Sequence, residues 1–148
     1  MLFEKKIATK AGLAAALLLA ASASFAETSK DYTVSCSAGG FTGTAYVTAV
    51  RNGDLLSVIA TDYKINSPSS SASRSEANLE MRIWGASKNQ YTKWDKTNKN
   101  LQQDGVKRKI RIAQGIIEPR LGAVEIYFAF DRKGPDPKCT VKEMIRSF

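Results

Sequence analysis

Apolar and polar residues alternate along most of this chain, most clearly between positions 106 and 131. Successive residues of a β-strand point to opposite faces of a sheet, so every second position shares a face. One such series predicts a strand with a continuous apolar ridge: Val124, Ile126, Phe128 and Phe130. Another series predicts a preceding strand that meets this ridge: Val106, Ile110 and Ile112. The region therefore predicts a hairpin, with two strands joined by a loop.

The same alternation predicts five further strands, at positions 32–37, 41–50, 55–65, 77–86 and 139–145. Their β-branched and aromatic residues favour strand over helix. The segment 77–86 also suits a helix, since it is rich in Ala, Leu, Glu, Met and Arg. Its strict alternation decides for a strand.

Glycines mark the predicted turns. Gly39 and Gly40 separate the first two strands, and Asn52-Gly53 predicts a hairpin with a type I′ turn, whose two central residues need positive φ. Positions 87–105 show no period and predict a long loop. About seven antiparallel strands at this spacing predict an all-β fold, either a single β-sandwich or a small barrel.

The first 26 residues have the pattern of a cleaved signal peptide. Three lysines precede a short apolar run at positions 11–21, and small residues lead to a predicted cleavage site after Ala26. The apolar run is shorter than the ~20 residues that a membrane-spanning helix needs. Residues 27–148 are therefore predicted to form one domain, periplasmic or secreted, with no membrane span.

The chain has two cysteines, Cys36 and Cys139, which lie near the two ends of the predicted domain. An even number of cysteines in an exported protein predicts a disulfide. This bond would join the terminal strands of the domain and hold them close together.

The chain contains no histidine. It therefore lacks the usual general base and the commonest transition-metal ligand, and a disulfide would remove both thiols as nucleophiles or ligands. These absences predict a protein that is not an enzyme and has no cofactor and no metal site. The alternative is a hydrolase that uses Glu80 and Glu125, although cross-strand pairing with cations accounts for both carboxylates.

Positive charge is concentrated between Arg82 and Arg111. This window holds nine basic and two acidic residues, a net charge of +7 in a chain whose total is +8. Aromatic side chains stack on sugars or bases, and cations pair with phosphate, sulfate or carboxylate. The predicted ligand-binding residues are Arg82, Trp84, Lys88, Tyr91, Lys93, Trp94, Lys96, Lys107, Lys109 and Arg111. The alternative is a solubilising surface without a ligand.

These features predict a small exported binding protein. Its partner is predicted to be an anionic polymer, such as a glycan or lipopolysaccharide, or another protein, and nucleic acid stays among the candidates. Binding to a polyanion should weaken steeply with salt, because counterions are released. The alternative is an inhibitor or immunity-type protein, which would form a stoichiometric complex that depends on salt only in part.

Overall fold

The computed structural model describes residues 26–96 and 100–148. The predicted signal peptide, residues 1–26, lies outside the described residues except for Ala26. The described ranges contain one short 3-10 helix, Ser69–Ser71, and none of their helices is long and apolar enough to cross a membrane. They also contain the strands β1 (Thr28–Ala38), β2 (Phe41–Asn52), β3 (Leu55–Asn66), β4 (Asn78–Gly85), β5 (Gln90–Tyr91), β6 (Asp95–Lys96), β7 (Arg108–Ile117), β8 (Gly122–Ala129) and β9 (Lys138–Ile145).

The strands form two antiparallel sheets. The first has the order β1-β2-β3-β7, and the second has the order β5-β4-β8-β9, with β6 also paired to β4. The predicted all-β fold is confirmed, and the segment 77–86 is a strand rather than a helix. The predicted loop 87–105 contains two further strands, β5 and β6, which are two residues long and therefore too short to show a period.

The predicted hairpin between positions 106 and 131 is wrong. β7 pairs with β3 in the first sheet, whereas β8 pairs with β4 and β9 in the second. The apolar ridge of β8 is buried as predicted, and so is Ile112, but Val106 is 51% exposed and precedes β7. Alternation indicates which side chains face inward. It does not distinguish a strand that pairs with its neighbour from one that faces it across a core.

One buried core contains side chains of both sheets. Phe128 of β8 lies against Gly43 of β2, where an added Cβ atom would come within 2.6 Å of the ring. Phe130 stacks on Phe41 and on Phe128, with ring centroids 5.1 and 5.7 Å apart. The sheets therefore contact each other directly, and Gly43 permits the close approach of the Phe128 ring.

β3 contains a β-bulge. Tyr46 pairs with Asp62 and Val47 pairs with Ala60, so Thr61 has no opposing residue in β2. An extra residue of this kind shifts the alternation of a strand by one position. The buried apolar residues of β3 accordingly change parity: Leu56, Val58 and Ala60, then Tyr63 and Ile65.

The hairpin predicted at Asn52-Gly53 is present, but the predicted turn type is wrong. β2 continues through Asn52, and the turn consists of Gly53 and Asp54. Gly53 has a φ of 58°, whereas Asp54 is not among the residues with positive φ, so the requirement of a type I′ turn is not met. Gly39 and Gly40, between β1 and β2, both have positive φ, at 59° and 85°.

A disulfide joins Cys36 of β1 to Cys139 of β9, as predicted. The two strands are edge strands of different sheets, and the Cα atoms of the cysteines are 5.9 Å apart. Near the other end of β1, the Thr28 hydroxyl donates a hydrogen bond to the carbonyl oxygen of Phe148, at 3.4 Å. The disulfide therefore links the two sheets along one side.

A glutamine links the sheets along the other side. Gln114 of β7 donates hydrogen bonds from Nε2 to the carbonyl oxygens of Met81, at 2.9 Å, and Lys93, at 3.0 Å. Residues 92–94 lie between the short strands β5 and β6, which both pair with β4. Gln114 donates its hydrogen bonds at this break in the strand pairing. Side chains, rather than a backbone ladder, therefore connect β7 to the second sheet.

Replacing both cysteines with alanine should lower the free energy of unfolding by about 4–5 kcal/mol, because the cross-link restricts a long loop of the unfolded chain. The sequence separation of 103 between Cys36 and Cys139 defines that loop. Urea denaturation followed by tryptophan fluorescence measures the change. A reducing agent should lower the stability of the wild type to that of the variant and should not affect the variant. A difference below about 1 kcal/mol would contradict the prediction.

Candidate functional site

A row of three charged residues crosses the outer face of the second sheet. Arg82 of β4 lies opposite Glu125 of β8, and Glu125 lies opposite Lys142 of β9. Arg82 donates to Oε2 of Glu125 from Nε at 2.7 Å, and its Nη2 lies 2.7 Å from the same oxygen. Glu125 is only 8% exposed, so its carboxylate is largely shielded from water, whereas the Arg82 side chain is 28% exposed.

Aromatic rings surround both cations of this row. The guanidinium carbon of Arg82 lies 4.0 Å from the ring centroid of Tyr91 and 4.4 Å from that of Trp94. The ammonium of Lys142 lies 4.2 Å from the ring centroid of Trp84 and 5.3 Å from that of Tyr91. These are cation–π distances, and such contacts are stronger where water is partly excluded.

The Tyr91 hydroxyl connects the two halves of the arrangement. It donates to Oε1 of Glu125 at 3.0 Å and accepts a hydrogen bond from Lys142 Nζ at 3.2 Å. None of the ion pairs found within residues 26–96 and 100–148 includes Lys142, so its charge is held in place without a carboxylate partner there. We call this set the aromatic–cation face: Arg82, Trp84, Tyr91, Trp94, Glu125 and Lys142.

The segment that carries Tyr91 and Trp94 is held against β4 by several contacts. Thr92 donates its N–H to the Ile83 carbonyl and accepts the Ile83 N–H on its hydroxyl, both at 2.8 Å. The Trp84 indole N–H donates to Asn89 at 2.9 Å, and Trp94 lies edge-on to Tyr127, with centroids 6.2 Å apart. Together with Gln114, these contacts fix the position of the two aromatic side chains.

The structure divides the predicted ligand-binding residues between the two sheets. Arg82, Trp84, Tyr91 and Trp94 come together on the aromatic–cation face, whereas Lys88, Lys93 and Lys96 are exposed near it. Lys107, Lys109 and Arg111 belong to the first sheet or the segment that enters it. The single hairpin face that was predicted to carry these basic residues therefore does not form, because β7 pairs with β3 and β8 pairs with β4 and β9.

The lysines near the first sheet have partners of their own. Lys107 lies 3.8 Å from the ring centroid of Tyr46, and Lys109 forms an ion pair with Asp62 at 2.9 Å. Hydrogen bonds from Lys109 and from the Thr61 hydroxyl lower the pKa of Asp62 below its ordinary value. Arg111 is exposed on the same strand as Lys109.

Sequence reasoning did not identify Lys142 as part of the site, and it considered Glu125 only as a candidate hydrolase residue. In the strand predicted at 139–145, Cys139, Val141 and Ile145 share one parity, so Lys142 is expected on the opposite face. Alternation therefore predicts which face of the strand Lys142 lies on, but it does not predict which residues lie next to Lys142. The contact of Lys142 with Trp84 and Tyr91 depends on the pairing of β9 with β8, which alternation does not specify.

A buried carboxylate fixes the segment that joins the two sheets. Glu118 is fully buried, and its side chain accepts four hydrogen bonds. The donors are the Ser87 N–H and hydroxyl, both at 2.7 Å, and the N–H groups of Arg120, at 3.0 Å, and Leu121, at 3.2 Å. Arg51, which is 7% exposed, donates to the carbonyl oxygens of Glu118 and Arg120, at 2.6 and 2.8 Å.

Burial by itself raises the pKa of the Glu118 carboxyl, but the hydrogen bonds from Ser87, Arg120 and Leu121 outweigh burial. The pKa therefore lies below its usual value of 4.5. We call residues 118–121 the anchored turn.

Metal binding finds no support in the described part of the chain. Within residues 26–96 and 100–148, no group of three or more Cys, Asp and Glu side chains is placed to hold a metal ion.

No family of known proteins matches this chain, and no curated protein and no solved structure matches it.

The substitution Arg82→Met should lower the free energy of unfolding by about 1–3 kcal/mol, because it leaves the carboxylate of Glu125 buried without its cation. Urea denaturation at neutral pH measures the loss. Arg111→Met is the matched control, since Arg111 is exposed and belongs to the first sheet. It should change stability by less than about 0.5 kcal/mol. Equal effects of the two substitutions would show that the Arg82–Glu125 pair does not stabilise the fold.

The substitution Glu118→Gln should lower the free energy of unfolding by about 2 kcal/mol at neutral pH, because charged acceptors form the stronger hydrogen bonds. Since the folded-state pKa of Glu118 is below 4.5, its contribution is present above that pH and is lost as the pH falls further. The variant should therefore lose less stability than the wild type in that acid range. Unfolding curves measured from neutral to acid pH test this expectation, with Glu80→Gln as control.

Proposed function

We propose that this protein is an exported, non-catalytic binding protein that engages an acidic partner protein through the aromatic–cation face. The signal-peptide pattern supports export, and the disulfide is typical of proteins in an oxidising compartment. We also propose that the two sheets pack as a single β-sandwich. The shared core and the links along both sides of the sheets support that arrangement.

The observation that carries the proposal is the arrangement of Arg82, Glu125 and Lys142 among three aromatic rings. Tryptophan, tyrosine and arginine are the residues that most often anchor protein interfaces. Tyr91 and Trp94 are 43% and 37% exposed, although each is held by a cation. Side chains that are already ordered lose less conformational entropy on binding, which favours affinity.

The distribution of charge favours a protein partner over an anionic polymer. A polyanion binds best to a continuous positive surface, because each phosphate or sulfate needs a cation. Here Glu125 offsets Arg82, and Lys107, Lys109 and Arg111 are placed with the other sheet. A stoichiometric complex of moderate salt dependence, as an inhibitor or immunity-type protein forms, fits this distribution better.

The bonding of Glu125 supports a non-catalytic role. One carboxylate oxygen accepts hydrogen bonds from Arg82 and the other accepts one from Tyr91. Glu80 lies opposite Tyr127 and Lys96 rather than opposite Glu125. Arg82 and Tyr91 therefore occupy both oxygens of Glu125, which supports a structural role for this carboxylate as a cross-strand partner of a cation.

Capture experiments with the immobilised protein test the proposal against periplasmic and culture fractions, washed at low and at high salt. The test variant, Trp84→Ala with Lys142→Gln, removes one cation–π pair of the aromatic–cation face. The matched control, Tyr46→Ala with Lys107→Gln, removes the cation–π pair near the first sheet. We expect one discrete protein to stay bound at high salt, and we expect the test variant to weaken its affinity by about tenfold or more.

Three other results would contradict the proposal. Equal capture by the test and control variants would exclude the aromatic–cation face as the interface. Capture of glycan, lipopolysaccharide or DNA that salt alone releases would favour an anionic polymer as the ligand. Loss of binding in the control variant only would assign the interface to the first sheet.

A further inference from the structure

The anchored turn is rigid, yet three of its side chains face the surface. Glu118 and Arg51 fix its backbone, and the Ala86 N–H donates to the Leu121 carbonyl at 3.0 Å. Pro119 and Arg120 are exposed, and Leu121 is half-buried. The buried charged side chains of Glu118 and Arg51 therefore hold in place a surface segment that contributes little to the core. Binding sites are typically supported in this way, by side chains behind the surface that fix its geometry.

Two adjoining clefts lie on either side of this turn, and Pro119, Arg120 and Leu121 line both of them. The first has a volume of about 460 Å³ and is completed by Met144, Arg146 and Ser147. The second has a volume of about 530 Å³ and is completed by Ala86 and Ser87. The first cleft thus combines apolar side chains with two arginines.

The first cleft continues the aromatic–cation face. Met144 of β9 lies opposite Ala123 of β8, and Ala123 lies opposite Trp84 of β4. Lys142 precedes Met144 by two positions and so shares its side of the sheet. An extended ligand on the aromatic–cation face would therefore reach Met144 and then the anchored turn.

The chemistry of the cleft indicates what would occupy it. Met144 is 36% exposed and, with Pro119 and Leu121, forms an apolar wall. None of the ion pairs within residues 26–96 and 100–148 includes Arg120 or Arg146. The cleft therefore offers apolar contact beside two cations that are available to carboxylates.

Most of the lining residues are exposed, so the first cleft is open. A small-molecule site usually encloses most of its ligand, which this cleft would not do. A protein segment needs only to insert a side chain, because the rest of the partner covers the surroundings. The geometry of the cleft therefore favours a segment of a partner protein over a free small molecule.

We infer that this cleft binds an apolar side chain of the partner, flanked by carboxylates that pair with Arg120 and Arg146. The inference rests on the proposed function and specifies the chemistry of the partner: an acidic segment with an apolar anchor, which runs from Lys142 towards the anchored turn. The anchored turn supplies the rigid wall against which the apolar side chain packs.

The test uses three labelled peptides of one length: a leucine flanked by glutamates, a serine flanked by glutamates, and a leucine flanked by lysines. Fluorescence polarisation measures affinity, and amide chemical shifts locate the binding site on the protein. We expect the leucine–glutamate peptide to bind about tenfold more tightly than the serine–glutamate peptide, because a buried leucine side chain adds apolar contact. The shifts should concentrate at residues 119–121 and 144–147.

Variants of the lining residues complete the test. Met144→Ser and Leu121→Ser remove apolar contact without adding charge, and each should reduce the preference for leucine over serine. Arg146→Gln should weaken both acidic peptides alike. Lys107→Gln is the control and should change nothing, since Lys107 does not line the cleft. Unchanged thermal unfolding of each variant shows that the fold is retained.

Four outcomes would overturn the inference. Equal affinity for the leucine and serine peptides would show that the cleft does not accept an apolar side chain. Tightest binding of the leucine–lysine peptide would show that carboxylates are not recognised. If Met144→Ser retains the captured partner in full while Trp84→Ala with Lys142→Gln loses it, the inference fails and the proposed function stands. If both variants retain the partner in full, both proposals fail.

Discussion

The buried carboxylate of Glu118 determines where the chain leaves the first sheet and enters the second. A carboxylate can be buried only if hydrogen bonds replace its hydration, and four donors from Ser87, Arg120 and Leu121 do so here. These donors come from the end of β4 and from the start of the segment into β8, while Arg51 of β2 holds the same turn from the first sheet. Glu118 therefore helps to set the relative placement of the two sheets, together with the disulfide, Gln114 and the shared core. The proposed binding surfaces are a consequence of that placement.

The second sheet presents charge in an unusual setting. A cation on a sheet is normally solvated, but Arg82 and Lys142 lie on aromatic rings and are connected through Tyr91 and Glu125. Such an arrangement keeps the side chains ordered and leaves one ammonium without a carboxylate partner among the described residues. Order and unpaired charge together favour recognition of an acidic partner, because less entropy is lost and a charge-assisted hydrogen bond is gained. The cleft beside the anchored turn extends this surface in the direction of β9.

Much of the strand pattern could be predicted, and the errors have identifiable causes. The ridge of β8 and the inward residues of β2 follow the alternation of the chain. The strand predicted at 55–65 is present, but its alternation did not predict the bulge at Thr61, which the pairing of β2 with β3 shows. β5 and β6 are too short to show a period, and their pairing with β4 depends on Thr92 and Gln114. The candidate site was predicted as one continuous segment of the chain. In the structure, it is formed by residues of β4, β8 and β9 and by the segment at the edge of the second sheet that carries Tyr91 and Trp94.

The sequence by itself determined the all-β class and the inward faces of the long strands, because alternation is a local pattern. It also determined the disulfide, because two cysteines can form only one pair. Only the tertiary structure decided which strands are neighbours. That choice placed Lys109 and Arg111 in a different sheet from Arg82 and brought Lys142 to Trp84. The physical reason is that the apolar face of a strand can be buried equally well against any apolar surface of matching shape. The pairing of strands therefore depends on contacts between distant residues, such as Glu118 with Ser87 and Phe128 with Gly43, which no local pattern encodes.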